Sequence, residues 1–156
     1  MSLWTWSPTN SSLGRPLHLT EERADPKTDE REGAAPRLVK SMAPNSFVRL
    51  ACGGGHALAL TGDGRLYAWG WNSYGQLGGG AGRDDASRPQ AVPAFTGLRC
   101  GCIAAGAAHS AALVWDDRVA GVPPAVRCYT WGAHGAGQLG HPSAEAHGSP
   151  REVDAL

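Results

Sequence analysis

An internal repeat constrains this chain more than any other feature. Trp69-Gly70 followed by Gly75-Gln76-Leu77-Gly78 returns as Trp131-Gly132 followed by Gly137-Gln138-Leu139-Gly140, every position displaced by 62 residues. Upstream, Gly53-Gly54-Gly55-His56-Ala57-Leu58-Ala59-Leu60 aligns with Gly106-Ala107-Ala108-His109-Ser110-Ala111-Ala112-Leu113 at a displacement of 53. The difference places an insertion between the two blocks, where residues 115–126 of the second copy replace Gly62-Asp63-Gly64 of the first. A fainter copy opens the chain: Leu3-Trp4-Thr5-Trp6 stands for the segment ending in tryptophan, and Ser12-Leu13-Gly14 for the end of the Gly-Gln-Leu-Gly block. Proline-led segments recur too (Pro36-Arg37-Leu38-Val39, Pro89-Gln90-Ala91-Val92, Pro150-Arg151-Glu152-Val153), and both Pro36 to His56 and Pro89 to His109 span 20 residues. Such a period implies an array of similar units, each burying its apolar face against a neighbour.

Each unit reads as antiparallel sheet. Phe47 to Cys52 and His56 to Thr61 alternate apolar residues over short runs, and Gly62-Asp63-Gly64 is expected to supply the positive φ angles of a tight hairpin before Arg65 to Trp69. A fourth strand is expected near the proline-led segment, because an edge tolerates the amide that proline lacks. Four-stranded sheets repeated along a sequence mark propeller blades, so the expected class is all-β, an incomplete β-propeller. The expected organisation is a degraded repeat tail over 1–14, a charged and disordered loop over 15–35, a full repeat over 36–88, and over 89–156 a second repeat with its insertion at 115–126 and the start of another. Nine charges in the twelve positions 21–32, with Pro26 among them, carry no apolar period and read as a solvated loop.

Composition narrows the class further. Glycine (22) and proline (11) make up about a fifth of the 156 residues, which excludes a helical bundle and suits short strands joined by turns. Fourteen basic and fourteen acidic residues balance, so no global field draws in nucleic acid or an anionic membrane. No stretch approaches the ~18 apolar residues of a membrane span, and residues 1–10 lack a basic segment followed by an apolar run. A non-secreted, cytoplasmic or nuclear protein is therefore expected, with Cys52, Cys100, Cys102 and Cys128 as reduced thiols.

The run from Val48 through Gly53, His56, Gly62, Gly64, Trp69 and Gly70 to Gly75-Gln76-Leu77-Gly78 closely resembles the repeat of the regulator of chromosome condensation family. Residues 99–154 resemble a second copy with an insertion, and residues 3–40 the tail of a preceding one. The resemblance implies a seven-bladed propeller of four-stranded blades that serves mostly as a protein-binding platform, the founding member being an exchange factor for the small GTPase Ran. Seven blades at this repeat length need roughly 350 residues or more. This chain is therefore expected to be part of a longer propeller, a protomer that completes a ring with other copies, or a small arc with blunted ends; the first reading leads.

Catalytic and cofactor chemistry finds little footing. Gly75 to Gly82 contains no Gly-Lys-Ser/Thr and opens no helix, so a phosphate cradle fails on context. Cys100-Gly101-Cys102 with His109, or Cys52 with His56, lacks the paired knuckles of a zinc site. Ser110 beside His109 is a poor nucleophile–base pair, since adjacent strand residues point to opposite faces. His56 and His109 are expected to define the repeat by hydrogen bonding to neighbouring backbone, and His134, His141 and His147 to be scattered on the surface. Trp6, Trp69 and Trp131 share one repeat position and read as blade core. Trp71 and Trp115 fall outside it and, with His56 and His109, are the expected partner-contacting residues.

The leading function is a non-catalytic protein-binding module or scaffold, with no metal and no cofactor. The alternative is guanine nucleotide exchange on a Ran-like small GTPase. The resemblance implies acidic or histidine side chains in the turn before the repeat histidine for that activity, where this chain has Gly54, Gly55, Ala107 and Ala108. Substrate recruitment for a ligase or trafficking protein is a third use the family implies.

Overall fold

The computed structural model describes residues 47–116, 125–142 and 145–154, together with the backbone of residues 4–5 and 37–38. The order is β1 (Trp4–Thr5), β2 (Arg37–Leu38), β3 (Phe47–Cys52), β4 (His56–Thr61), β5 (Leu66–Gly70), β6 (Ala86–Ala91), a single 3-10 turn (Pro93–Phe95), β7 (Arg99–Ala105), β8 (His109–Asp116), β9 (Ala125–Gly132) and β10 (His147–Glu152). Strands β3 to β6 form one four-stranded antiparallel sheet and β7 to β10 another, each a meander in chain order, while β1 pairs with β2. Repeat and sheet are out of phase, because Pro89 to Ala91 lie in the fourth strand of the first sheet. Residues 15–35 and most of 1–14 lie outside the described residues.

Equivalent residues pair in the same register in all three copies. Tyr67 faces Ala91 and Ala68 faces Gln90 in the first sheet; Tyr129 faces Glu152 and Thr130 faces Arg151 in the second; Trp4 faces Leu38 and Thr5 faces Arg37 in the partial copy. A bulge repeats as well, falling between Phe47 and Arg49 and again between Cys100 and Cys102, 53 residues on. At the second bulge the extra residue is Gly101, and the Trp115 ring occupies the space a side chain there would need.

Burial patterns show how the sheets stack. Strand β4 is buried from Leu58 to Thr61 without alternation, because both faces of this central strand are covered. Strand β8 alternates: Ser110, Ala112 and Val114 are buried, whereas Leu113 and Trp115 are exposed, because only one face of the second sheet is covered. One apolar cluster spans both sheets, running from Leu58, Leu60 and Trp69 through Phe95 to Val114 and Trp131. Phe95, on the turn linking the sheets, packs against Tyr129 and Trp131 with ring centroids 5.3 and 5.7 Å away.

The two hairpins differ from expectation. Between β4 and β5, Thr61 and Arg65 close a loop of three residues (62–64), with Gly64 NH donating to Thr61 O (2.9 Å) and Thr61 NH to Arg65 O (3.0 Å). A loop of this length is a type I turn closed by one left-handed residue. Only Gly64 (φ +84°) takes a positive φ, so the expectation of the same for Gly62 is corrected. The insertion is likewise more than a turn: Trp115 pairs with Val126 and Asp116 with Ala125, so its ends lengthen β8 and β9. Residues 117–124 lie outside the described residues.

Gly64→Ala should destabilise the protein by about 1–3 kcal/mol through left-handed strain, with Arg99 Cα 3.2 Å from the new methyl. Gly62→Ala meets only Val48 at 3.6 Å and should stay within about 0.5 kcal/mol of the parent. Urea unfolding midpoints of the two variants check the contrast.

Candidate functional site at the joint between the blades

The repeat signature is built into the contact between consecutive sheets. The carbonyl oxygen of Gln76, in the loop after β5, accepts from Trp131 Nε1 and from Ser110 Oγ, both at 2.8 Å. All three residues are fully buried. Since the Ser110 hydroxyl gives its proton to that carbonyl, its lone pair accepts from His56 Nε2, 2.9 Å away. His56 is therefore the Nε2–H tautomer. Burial, with His109 near by, pushes its pKa down to about 4.

This arrangement corrects the expectations for His56 and Trp131. His56 bonds a side chain of the next sheet rather than local backbone, and at 3% exposure it cannot meet a partner. Trp131 packs at the joint between sheets rather than inside one; Trp69 is buried, and Trp6 lies outside the described residues. Ser110 pairs with His56 rather than His109, yet the pair is a lock and not a nucleophile. The serine proton is held by a carbonyl, and His56 Nδ1 finds no hydrogen-bond partner to orient it among the described residues. Ser110 was invisible to repeat reasoning because its counterpart in the first copy is Ala57.

The signature glycines make room for these contacts. A Cβ on Gly53 or on Gly106 would overlap the imidazole of His56 or His109, respectively. Gly78, at φ +76°, would place a Cβ 3.0 Å from Trp131 Nε1. The turn before the histidine is taken up by the joint, with Gly54 NH lying 3.1 Å from Ala107 O and 3.3 Å from Gly106 O. Gly70 and Gly132 end their strands against the same turns, so that Trp71 NH donates to Gly55 O and Ala133 NH to Ala108 O, each at 2.8 Å.

The two Gly-Gln-Leu-Gly loops share one internal frame. Tyr74 NH donates to Gln76 Oε1 at 3.0 Å, and Ala136 NH donates to Gln138 Oε1 at 2.8 Å. Asn72 O and His134 O accept from Gly75 and Gly137, and these loops close on Gly78 and Gly140. Asn72 Oδ1 accepts from Leu77 NH (3.0 Å); in the second loop His134 Nδ1 accepts from Leu139 NH (3.1 Å). An imidazole thus replaces an amide.

The expectation that His134, His141 and His147 are scattered on the surface is therefore corrected. His134 is 2% exposed, and the three ring centroids lie 5.5–6.3 Å apart. His134 Nε2–H donates to His141 O (3.1 Å), and His141 Nε2 meets Thr130 Oγ1 (3.0 Å). Burial and the positive Arg151 beside it lower the His141 pKa.

Trp71 and Trp115 stand at opposite ends of the strands. Trp71 lies over Gly55, edge-on to the exposed Tyr74 (5.5 Å), on the end where β4 and β8 begin. Trp115 is exposed near the end of β8, and His109 is half-buried at its start. Cys100 is buried, which raises its thiol pKa to about 11, and the other three thiols are also free. Among the described residues, no three His, Cys, Asp or Glu side chains are placed to hold a metal ion.

Consecutive four-stranded meanders, locked face to face by a repeated loop, define blades of a β-propeller. The family model for the Regulator of chromosome condensation (RCC1) repeat matches residues 63–113, a second model of that repeat matches residues 47–76, and the chain carries this repeat over residues 47–113. Over 129 residues it is 37% identical to the human probable E3 ubiquitin-protein ligase HERC3, covering 83% of this chain and 11% of that protein. The ultraviolet-B receptor UVR8 of Arabidopsis thaliana is 31% identical over 128 residues, 82% of this chain and 27% of the receptor. The chain thus spans from about a tenth to about a quarter of these relatives' lengths. In fold it is similar to human WBSCR16 (TM-score 0.70, 24% identity, 97% of this chain and 35% of that one). It is also similar to Prp20p from Saccharomyces cerevisiae (TM-score 0.64, 19% identity, 77% and 28%).

Trp131→Ala should cost about 3–5 kcal/mol, read from denaturant unfolding, because it removes a buried ring and empties the joint. His56 gives a pH signature. In the folded state it stays neutral down to about pH 4, against an ordinary value of 6.5, so between these values the unfolded chain binds the extra proton. Stability is full above pH 6.5 and falls as the pH drops toward 4, by on the order of 3 kcal/mol from this group. Between pH 6.5 and 4 the unfolding free energy of the parent should fall by this amount more than that of His56→Gln.

Proposed function

We propose that this chain is a non-catalytic protein-interaction module and forms one arc of a longer RCC1-type propeller. The observation that carries the reading is the open face of the second blade. In the first blade Leu60 is 3% exposed beneath its neighbour; its counterpart Leu113 is 36% exposed, and Trp115 and Val126 stand beside it at 36% and 56%. An apolar sheet face of this kind, whose equivalent is buried in the preceding repeat, suits further blades, a second copy of the chain, or a partner protein.

The relatives support the same reading. HERC3 is named a probable ubiquitin ligase, and the matched blades cover only 11% of it, which suits a recruiting role rather than the transfer chemistry. Prp20p is described by its binding to Gsp1p and histones, and by a complex with Kap60. Cytoplasmic or nuclear residence belongs to this proposal. Nucleotide exchange is the second reading, and the turns argue against it: Gly54 is engaged by the backbone of Gly106 and Ala107, and Gly55, Ala107 and Ala108 bring no polar side chain.

Release of a fluorescent guanine nucleotide from a panel of small GTPases that includes Ran should proceed at its intrinsic rate in the presence of catalytic amounts of the chain. Acceleration in that assay would overturn the non-catalytic reading.

A further inference from the structure

At the rim of the blade joint, the loop after β5 meets β10 around a cleft of about 450 Å³. Gly80 NH donates to Gly148 O at 3.0 Å and ties the two elements together at the cleft. Arg83 enters from the first blade; His147, Ser149 and Arg151 enter from the second. The Arg83 guanidinium runs through space that two glycines leave open. A Cβ on Gly75 would overlap it, and one on Gly148 would come within 2.8 Å of Arg83 Nη1. Its position is thus set by packing.

The charge in this cleft is unbalanced, although the whole chain is neutral. Among the described residues no carboxylate pairs with Arg83 or Arg151, whereas Arg65 pairs with Asp63 and Arg127 with Asp116 and Glu152. Asp85, two residues from Arg83, has Oδ1 accepting from the Asn72 NH at 2.8 Å instead. His147 belongs to the three-histidine cluster, whose member His141 feels the charge of Arg151. This surface corner gathers two guanidiniums that no carboxylate pairs with among the described residues, with the Ser149 hydroxyl beside them, and its charge suits an anion.

We propose that the cleft between Arg83 and Arg151 binds a phosphate monoester carried by a phosphorylated serine or threonine of a protein partner. A guanidinium presents parallel N–H donors that match two oxygens of a phosphate, and Arg clusters are a recurrent means of reading phosphorylated segments. A monoester carries nearly two negative charges near neutral pH, which two arginines can share, whereas a carboxylate needs only one of them. Apolar walls from Ala81 and Pro150 leave the cleft open to a chain passing across it. The proposal rests on the reading of the blades as a protein-binding module and names the chemistry of one partner segment.

The test is an NMR titration of the full chain with four probes: a short phosphoserine peptide, its unphosphorylated form, its Ser→Glu form, and inorganic phosphate. The phosphoserine peptide should shift the amides of Gly80, Gly148 and Ser149 and bind most tightly. Arg83→Gln and Arg151→Gln should each weaken it about tenfold, while Arg99→Gln, remote from the cleft, should leave it unchanged. Neither cleft arginine has a carboxylate partner among the described residues, so unchanged unfolding midpoints should accompany the loss. Phosphopeptide affinity equal to that of the parent chain in Arg83→Gln and in Arg151→Gln overturns the site. Equal binding of the glutamate or unphosphorylated peptide overturns the phosphate assignment, and tighter binding of inorganic phosphate overturns the peptide source. None of these outcomes alters the GTPase measurement, so failure of this site and failure of the module reading are read separately.

Discussion

One carbonyl oxygen holds the two blades in register. Gln76 O takes hydrogen bonds from Trp131 and Ser110 in a region closed to water, and Ser110 passes the connection on to His56. Each of these groups would cost about 1–3 kcal/mol if it were buried without a partner. A sliding or tilting of one sheet on the other would break them together. Apolar burial supplies most of the attraction across this joint and is indifferent to small shifts; the polar chain selects one geometry. The open face on β8 and the basic cleft by β10 both take their positions from it.

The two repeats differ where two residues can meet the same local demand. Asn72 becomes His134 because either can accept one amide proton from the leucine that follows. Phe47 becomes Cys100 at equivalent buried strand positions. The hairpin that closes in three residues in the first blade is extended in the second, at the end of the strands away from the Gln76 loop. Residues in the joint are held by several contacts at once, whereas those at the far hairpin answer mainly to solvent. The largest difference in length along the array falls at that far hairpin.

Much of the fold was legible because β-structure writes itself into spacing. The strands of the meander, the fourth strand at the proline-led segment and the recurrence of the Trp-Gly and Gly-Gln-Leu-Gly blocks follow from local alternation and turn residues. Gly62 shows the limit of that reading. Two glycines flank Asp63 in sequence, but hydrogen bonding between Thr61 and Arg65 fixed a three-residue loop in which only Gly64 needs a left-handed backbone. The histidines show another limit: His134, His141 and His147 have no periodic spacing, and they meet because a loop and an edge strand fold onto each other.

The sequence by itself determined the repeating unit, its strand order and its register, since each depends on contacts between residues close along the chain or related by the period. It also supplied every member of the signature. Tertiary structure decided what the signature is for: Gln76 and His56 belong to one repeat, Trp131 and the non-repeated Ser110 to the next, so their hydrogen bonds exist only once one sheet lies on the next. It likewise decided which faces stay open, and it brought Arg83 and Arg151 to one cleft. Side-chain identity is local information; partnership across 54 or 55 residues is a property of the packed array.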